Sequence, residues 1–181
     1  MTRAIHILAL ALPVLAPLTA GAPARAGGFE TYGNIFAYAI PAAAGAITLA
    51  KGDEKGLWQL GSSYALANGT TWALKQTIDS TRPNGKPESF PSGHTTSAFA
   101  GASYLHYRYG LDYGLPAYGL AALVGVSRVT SNNHRWRDVV AGAAIANVSA
   151  YFLVDRFKAP PPVNIVVGER GFYGVTAAFR F

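Results

Sequence analysis

Five stretches of the chain, Tyr32–Ala50, Leu57–Leu74, His94–Tyr107, Tyr113–Val126 and Val139–Val154, are apolar nearly from end to end, and the polar clusters lie between them. Each stretch is too long for a strand. A helix that is apolar nearly all round must be buried in protein or lie in lipid. The expected fold class is therefore all-α, a helical bundle of about five core helices. The apolar content is Ala and Gly rather than Leu and Ile, and small residues let helix backbones approach closely, as in membrane bundles. A compact soluble α-bundle has the same composition. The first stretch carries no charge, whereas the second holds Gln59, Ser62, Ser63, Asn68, Thr70 and Thr71, and the third and fourth are short for a bilayer. Both settings stay open on this reading.

The two ends of the chain depart from the helical pattern. Residues 1–26 have a basic start at Arg3, an apolar stretch broken by Pro13 and Pro17, and small residues closing on Ala24-Arg25-Ala26. That is the pattern of a signal peptide with an A-x-A cleavage site after Ala26, or of an uncleaved membrane anchor, and either way the chain is exported. After Lys158, Pro160-Pro161-Pro162 stops the helices, and Val163–Val167 and Phe172–Phe181 flank Gly168-Glu169-Arg170-Gly171. The alternation of Tyr173, Val175, Ala177, Phe179 and Phe181 reads as one face of a short C-terminal β-hairpin. An isolated hairpin is marginal, so it must lean on the bundle or on a second copy of the chain, which makes a homo-oligomer through the hairpin an expectation. Three parts result: residues 1–26, a helical domain 27–158, and a Pro-rich linker with hairpin 159–181.

Composition removes several functions. Only 13% of residues are charged and the net charge is +6. The basic residues form neither a run nor an aromatic-interleaved stripe, so nucleic acid is not an expected partner. There is no cysteine, which excludes disulfides and cysteine-based metal sites. No His-Glu-x-x-His occurs, and two histidines with Asp138 are too few ligands for zinc, so no metal and no cofactor is expected. A Gly-x-Ser-x-Gly elbow is also missing, and Ser92 stands too close to His94 in sequence for a Ser–His–Asp hydrolase.

If consecutive helices run antiparallel, Lys51–Lys55, Arg108–Asp112 and Arg156–Lys158 fall at one end, and Lys75–Pro91 and Ser127–Arg137 at the other. With the chain's start outside, the second end faces outside, and the first obeys the positive-inside rule. The outer cluster holds the candidate chemistry. If a helix opens at His134, Asp138 stands one turn on, on the same face, where its carboxylate can take a proton from one ring nitrogen and leave the other basic. An imidazole so oriented suits a nucleophile or general base. Pro91, Ser92 and Gly93 precede a helix whose first amides have no partners of their own, a ready anion site. His94 stands at the same spot, where it can protonate a leaving oxygen. Lys75, Arg82 and Arg128 would neutralise phosphoryl oxygens.

Together, Lys75-x6-Arg82-Pro83, Pro91-Ser92-Gly93-His94 and Ser127-Arg128-x5-His134-x3-Asp138 resemble the three-part signature of the type 2 phosphatidic acid phosphatase (PAP2) family, which shares its core with bacterial non-specific acid phosphatases and vanadium haloperoxidases. The resemblance spans the helical region and leaves the tail unexplained. It implies metal-independent hydrolysis through a phosphohistidine. In that scheme His134 attacks phosphorus, Asp138 orients it, and His94 protonates the leaving group. Lys75, Arg82, Ser92, Gly93 and Arg128 would hold the phosphoryl oxygens.

The expected function is thus a phosphatase acting on phosphomonoesters or pyrophosphates, first of all those of a lipid. Phosphatidate, a polyprenyl carrier and the lipid A anchor are the candidates, met at the periplasmic face of the inner membrane. The alternative is a soluble periplasmic acid phosphatase taking small phosphomonoesters. Haloperoxidase chemistry would need pocket elements that so short a chain leaves little room for. A non-enzymatic membrane scaffold would follow from the apolar helices alone and would make His134 dispensable.

Overall fold

The computed structural model describes residues 24–158, 163–167 and 173–177, with side chains over 27–158. Five helices make up the bundle: α1 (Ala24–Ala50), α2 (Glu54–Thr77), α3 (Gly93–Tyr109), α4 (Leu111–Thr130) and α5 (Trp136–Leu153). Polar connections at 51–53, 78–92, 110 and 131–135 separate them, and the starts of α2, α3 and α4 have local causes. Asp53 caps α2 by accepting from the Gly56 amide at 2.9 Å, and Ser92 caps α3 through the Thr95 amide at 3.4 Å. Gly110, at φ 100°, ends α3 and lets α4 begin at the next residue, a backbone conformation that glycine takes without strain.

α3 is the central element and touches all four other helices. Its buried positions are small, among them Ala98, Ala100, Ala102 and Ser103, and the residues facing them include Ala37, Ala44, Ala121 and Ala150. Among the described residues, Tyr104 is the one large aromatic that is fully buried. The Ala-rich composition therefore acts as expected: small side chains on both sides bring helix axes close, and dispersion contacts between near backbones replace the bulk of Leu and Ile.

Successive helices do alternate direction, so the loops gather at two ends. The 78–92 and 131–135 loops meet at one of them. The Asn84 amide donates to the Asn132 carbonyl at 3.1 Å, the Asn84 side chain donates to Asn133 Oδ1 at 3.0 Å, and Arg137 donates to Ser80 Oγ at 3.2 Å.

Two boundaries differ from expectation. α1 begins eight residues before Tyr32, at Ala24. α5 opens at Trp136 rather than at His134, because Arg135 is extended (φ −92°, ψ 160°) and its amide donates to Asp138 Oδ2 at 2.9 Å. His134 thus lies on the loop, and the helical-face argument for its pairing with Asp138 does not hold. The leader lies outside the described residues apart from the backbone of 24–26, which is already part of α1. Beyond α5, the backbones of β1 (Val163–Val167) and β2 (Tyr173–Ala177) pair antiparallel, Val163 with Ala177 and Val167 with Tyr173. Their connection and side chains lie outside the described residues. The architecture supported is the five-helix one, and the expected hairpin is not part of it.

Candidate active site

A cleft of about 380 Å³ opens at the end where the two loops meet. Lys75 comes from the last turn of α2, Arg82 from the loop after it, Gly93 and His94 from the first turn of α3, and His134 from the loop before α5. The Arg82 loop is held by its own backbone, with Arg82 N donating to Lys86 O at 2.8 Å and Ser89 N to Ser80 O at 2.7 Å. Lys75 Nζ donates to the Glu88 carbonyl at 2.6 Å, and Arg82 Nε to the Pro87 carbonyl at 3.1 Å. Carbonyl partners fix both cations in place without neutralising them.

Asp138 is fully buried behind His134. Its Oδ2 accepts from Ser89 Oγ at 2.5 Å and from the Arg135 amide at 2.9 Å, and Arg137 Nε lies 3.5 Å from Oδ1. Burial alone would raise its pKa, but the Ser89 and Arg135 hydrogen bonds and the neighbouring His134 and Arg137 hold it below the usual carboxylate range. His134 Nδ1 stops 3.6 Å from Asp138 Oδ2, longer than a hydrogen bond. The partners therefore face each other as expected, with the carboxylate already occupied by the cap of α5 and by Ser89.

Both histidines are strongly shifted. Burial, then the charges of Arg82 and Lys75, lower His134 to about 4, against an opposing pull from Asp138 and the Ser89 backbone. Burial, then Arg128, Arg82 and Lys75, lower His94 to about 4 as well. Lys75 is itself lowered, by burial first and Arg82 second. The cleft thus holds neutral imidazoles amid fixed positive charge, an electrostatic field built for an anion.

Two of the expected phosphate ligands are placed differently. Ser92 is fully buried and does not line the cleft. Its hydroxyl accepts from the Thr95 amide and from Thr95 Oγ1 at 3.0 Å, and its own amide donates to the Asp138 carbonyl at 2.9 Å. This contact ties α3 to α5 and depends on Gly142, where a Cβ would sit 2.7 Å from the Ser92 oxygen. Arg128 is also buried, under α1. It donates to Asn34 Oδ1 at 2.7 Å and to the Glu30 carbonyl at 2.5 Å. Gly33 allows that approach, since a Cβ there would lie 2.4 Å from the guanidinium. Only the charge of Arg128 reaches the cleft, through its effect on His94.

Sequence reasoning missed Ser89, which carries no spacing signal, and the α1 residues Glu30 and Asn34. It also missed the rest of the cleft lining, Tyr38, Tyr64, Asn68 and Ser97. A signal did exist there. Asn68 precedes Lys75 by two helical turns and Ser97 follows His94 by one, so both share a face with a residue already singled out.

The fold and the cleft define an all-α enzyme whose site lies where two interhelical loops meet, with paired histidines among uncompensated cations. Residues 56–159 match the family model of the PAP2 superfamily, and the chain belongs to that superfamily. It is 30% identical over 141 residues to the lipid A 4'-phosphatase of Helicobacter pylori, covering 71% of each chain. It is 35% identical over 120 residues to the lipid A 1-phosphatase of Porphyromonas gingivalis, covering 64% of this chain and 23% of that one. Over 88 residues it is 40% identical to lipid phosphate phosphatase 2 of Arabidopsis thaliana, covering 41% of this chain and 30% of that one. The crystal structure of Aquifex aeolicus LpxE superposes with a TM-score of 0.63 at 21% identity, covering 74% of this chain and 87% of that one, a likeness of fold. The protein is a phosphoric monoester hydrolase of the PAP2 type.

Proposed function

We propose that the protein hydrolyses the phosphate of a lipid phosphomonoester or pyrophosphate through a phosphohistidine on His134. The observation that carries this reading is the convergence of His134, His94, Lys75 and Arg82, from three separate segments, on one cleft. His134 Nδ1 faces Asp138, which leaves Nε2 to attack phosphorus while the bond to the leaving oxygen breaks. His94 gives that oxygen its proton. Water then displaces the phosphoryl group from His134, with His94 as the base, and inorganic phosphate leaves. Lys75, Arg82 and the first amides of α3 at Gly93 and His94 meet the phosphoryl oxygens. Ser92 acts by fixing the start of α3, and Arg128 through its charge. The low pKa values suit this sequence: His134 is unprotonated and nucleophilic when substrate arrives, and a bound dianion raises His94 into its acid form.

A lipid substrate is supported by the outer face of the bundle. Residues 32–50, 57–74, 113–127 and 139–154 contain no Asp, Glu, Lys or Arg, and Leu49, Trp58, Leu66, Leu115, Val148 and Phe152 point outward there. Such a belt is at home among acyl chains, with Trp58 and Trp72 near its borders. In this reading the cleft sits above the belt, at the level of lipid phosphates, and the leader-like pattern of residues 1–26 supports a periplasmic orientation. The names of the two bacterial relatives agree with a lipid anchor as the substrate.

The test is turnover of phosphatidic acid and of a chromogenic aryl phosphate by purified protein with chelator present. Activity persists on this reading, whereas loss with chelator and recovery with a divalent ion would overturn the mechanism. The alternative is a soluble periplasmic acid phosphatase; among the described residues, Gly27–Ala50 alone is long and apolar enough to cross a membrane. Resistance to carbonate extraction supports the lipid-embedded enzyme, and release by osmotic shock supports the soluble one.

A further inference from the structure

Below the histidines, the wall of the same cleft is lined by neutral polar side chains that phosphoryl transfer does not use. Ser97 lies one turn beyond His94 on α3, about 4.5 Å along the axis. Tyr64 and Asn68 lie one turn apart on α2, on the face that carries Lys75. Their hydrogen bonds run in one direction. The Tyr64 hydroxyl donates to Ser97 Oγ at 3.1 Å, Ser97 Oγ donates to Asn68 Oδ1 at 2.8 Å, and Asn68 Nδ2 donates to the Tyr64 carbonyl at 3.0 Å. The inventory of donors and acceptors then leaves the second hydrogen of the Asn68 amide unused, with lone pairs on the Tyr64, Ser97 and Asn68 oxygens, on three residues that line the cleft.

An acceptor and a donor side by side, without charge, complement a group that both donates and accepts. Hydroxyls and amides do so; a hydrocarbon chain does not, and it would bury the open donor and acceptors unsatisfied. The cleft is also far larger than a phosphoryl group needs, and its volume lies in the range that holds a small organic ligand. We infer that Tyr64, Ser97 and Asn68 form a subsite for the leaving group, selecting phosphate esters of a sugar or similar hydroxyl- and amide-bearing headgroup over those of a plain alkyl or prenyl alcohol. This inference rests on the lipid-phosphatase reading and narrows its substrate class.

The experiment compares kcat/KM for N-dodecanoyl glucosamine 1-phosphate and for dodecyl phosphate in the same detergent micelles. Asn68→Leu is expected to lower the ratio of the first to the second about tenfold, the scale of one lost hydrogen bond to a buried polar group. Tyr64→Phe keeps the ring, removes only the oxygen, and should lower the ratio in the same direction if Asn68→Leu fails to fold. Loss of activity by the same factor on both substrates, as expected if the trio merely staples α2 to α3, overturns the inference. So does turnover of dodecyl phosphate alone by the unaltered protein. Turnover of neither substrate would instead remove the lipid-phosphatase reading beneath it.

Discussion

The two ends of the bundle are both rich in charge and treat it in opposite ways. At the end away from the cleft, the Arg108 guanidinium forks onto Asp53, with Nε 2.7 Å from Oδ2 and Nη2 2.5 Å from Oδ1. Nη1 takes up the Asp155 carbonyl at 2.9 Å, and Tyr109 adds a hydrogen bond to Asp53 at 2.9 Å. Burial would raise the Asp53 pKa, yet Arg108 and Tyr109 hold it below the ordinary value, while the Asp53 hydrogen bond raises that of Arg108. At the cleft end, Lys75 and Arg82 make no ion pair with a carboxylate among the described residues. They face histidines whose pKa values have been pushed down. A buried cation with a matched carboxylate holds a fold together. Cations left uncompensated beside neutral imidazoles keep a place for an anion, at a cost in stability that its binding offsets.

The sharpest way to break this contrast is to alter each end separately. His134→Ala should lower kcat by roughly 10⁴-fold or more, the scale seen when a nucleophile is removed, with little change in melting temperature. Asp138→Asn should lower kcat by about 10²-fold, and because Asp138 also caps α5 and holds Ser89 it should cost about 1–2 kcal/mol of stability. Arg108→Ala should do the reverse. It leaves the buried Asp53 uncompensated and should cost about 3–5 kcal/mol in denaturant unfolding, while kcat of the folded fraction stays within about threefold of the parent. A large kcat loss in folded Arg108→Ala would mean that the two ends are coupled.

His94→Ala should cost on the order of 10²–10³-fold on an alkyl phosphate and clearly less on an activated aryl phosphate, whose leaving oxygen needs less protonation. Equal losses on both would count against His94 as the acid. A smaller effect concerns pH. Both histidines bind protons near pH 4 when folded, against 6.5 ordinarily, so between those values the unfolded chain holds more protons. Stability should then fall as pH drops from 7 towards 4, and inorganic phosphate should offset the loss by raising both values. A melting temperature flat from pH 7 to 4.5 would contradict the depressed histidines. The smallest effect belongs to Lys55→Ala. It breaks an exposed pair with Asp155 and should change stability by less than about 1 kcal/mol.

Much of this was legible in the chain, for identifiable reasons. Helix number followed from stretches whose only satisfactory burial is helical, and the meeting of the two loops followed from consecutive helices running antiparallel. That Lys75, Arg82, Gly93, His94 and His134 line one cleft was legible because helix ends have little freedom in where they point, and Arg82 and His134 lie on the two connections that meet there. Arg128 was not, because its environment is set by α1, and no local pattern announces that Glu30, Gly33 and Asn34 lie across from it. Ser92 was legible as a helix cap but not as a buried one, since burial depends on Gly142 admitting α5. The pairing of His134 with Asp138 emerged at the right residues for the wrong reason: the extended Arg135 puts His134 before the helix, and the two meet across its cap.

The most direct test of the central claim is to find the phosphoryl group on the enzyme. Protein mixed with excess aryl phosphate should be quenched in alkali within one turnover, digested with trypsin, and examined by mass spectrometry for the peptide 129–135, which contains His134. An acid-labile phosphate on His134, absent from His134→Ala, is the predicted result. Phosphate on any other residue, or undiminished turnover by His134→Ala, would contradict the account.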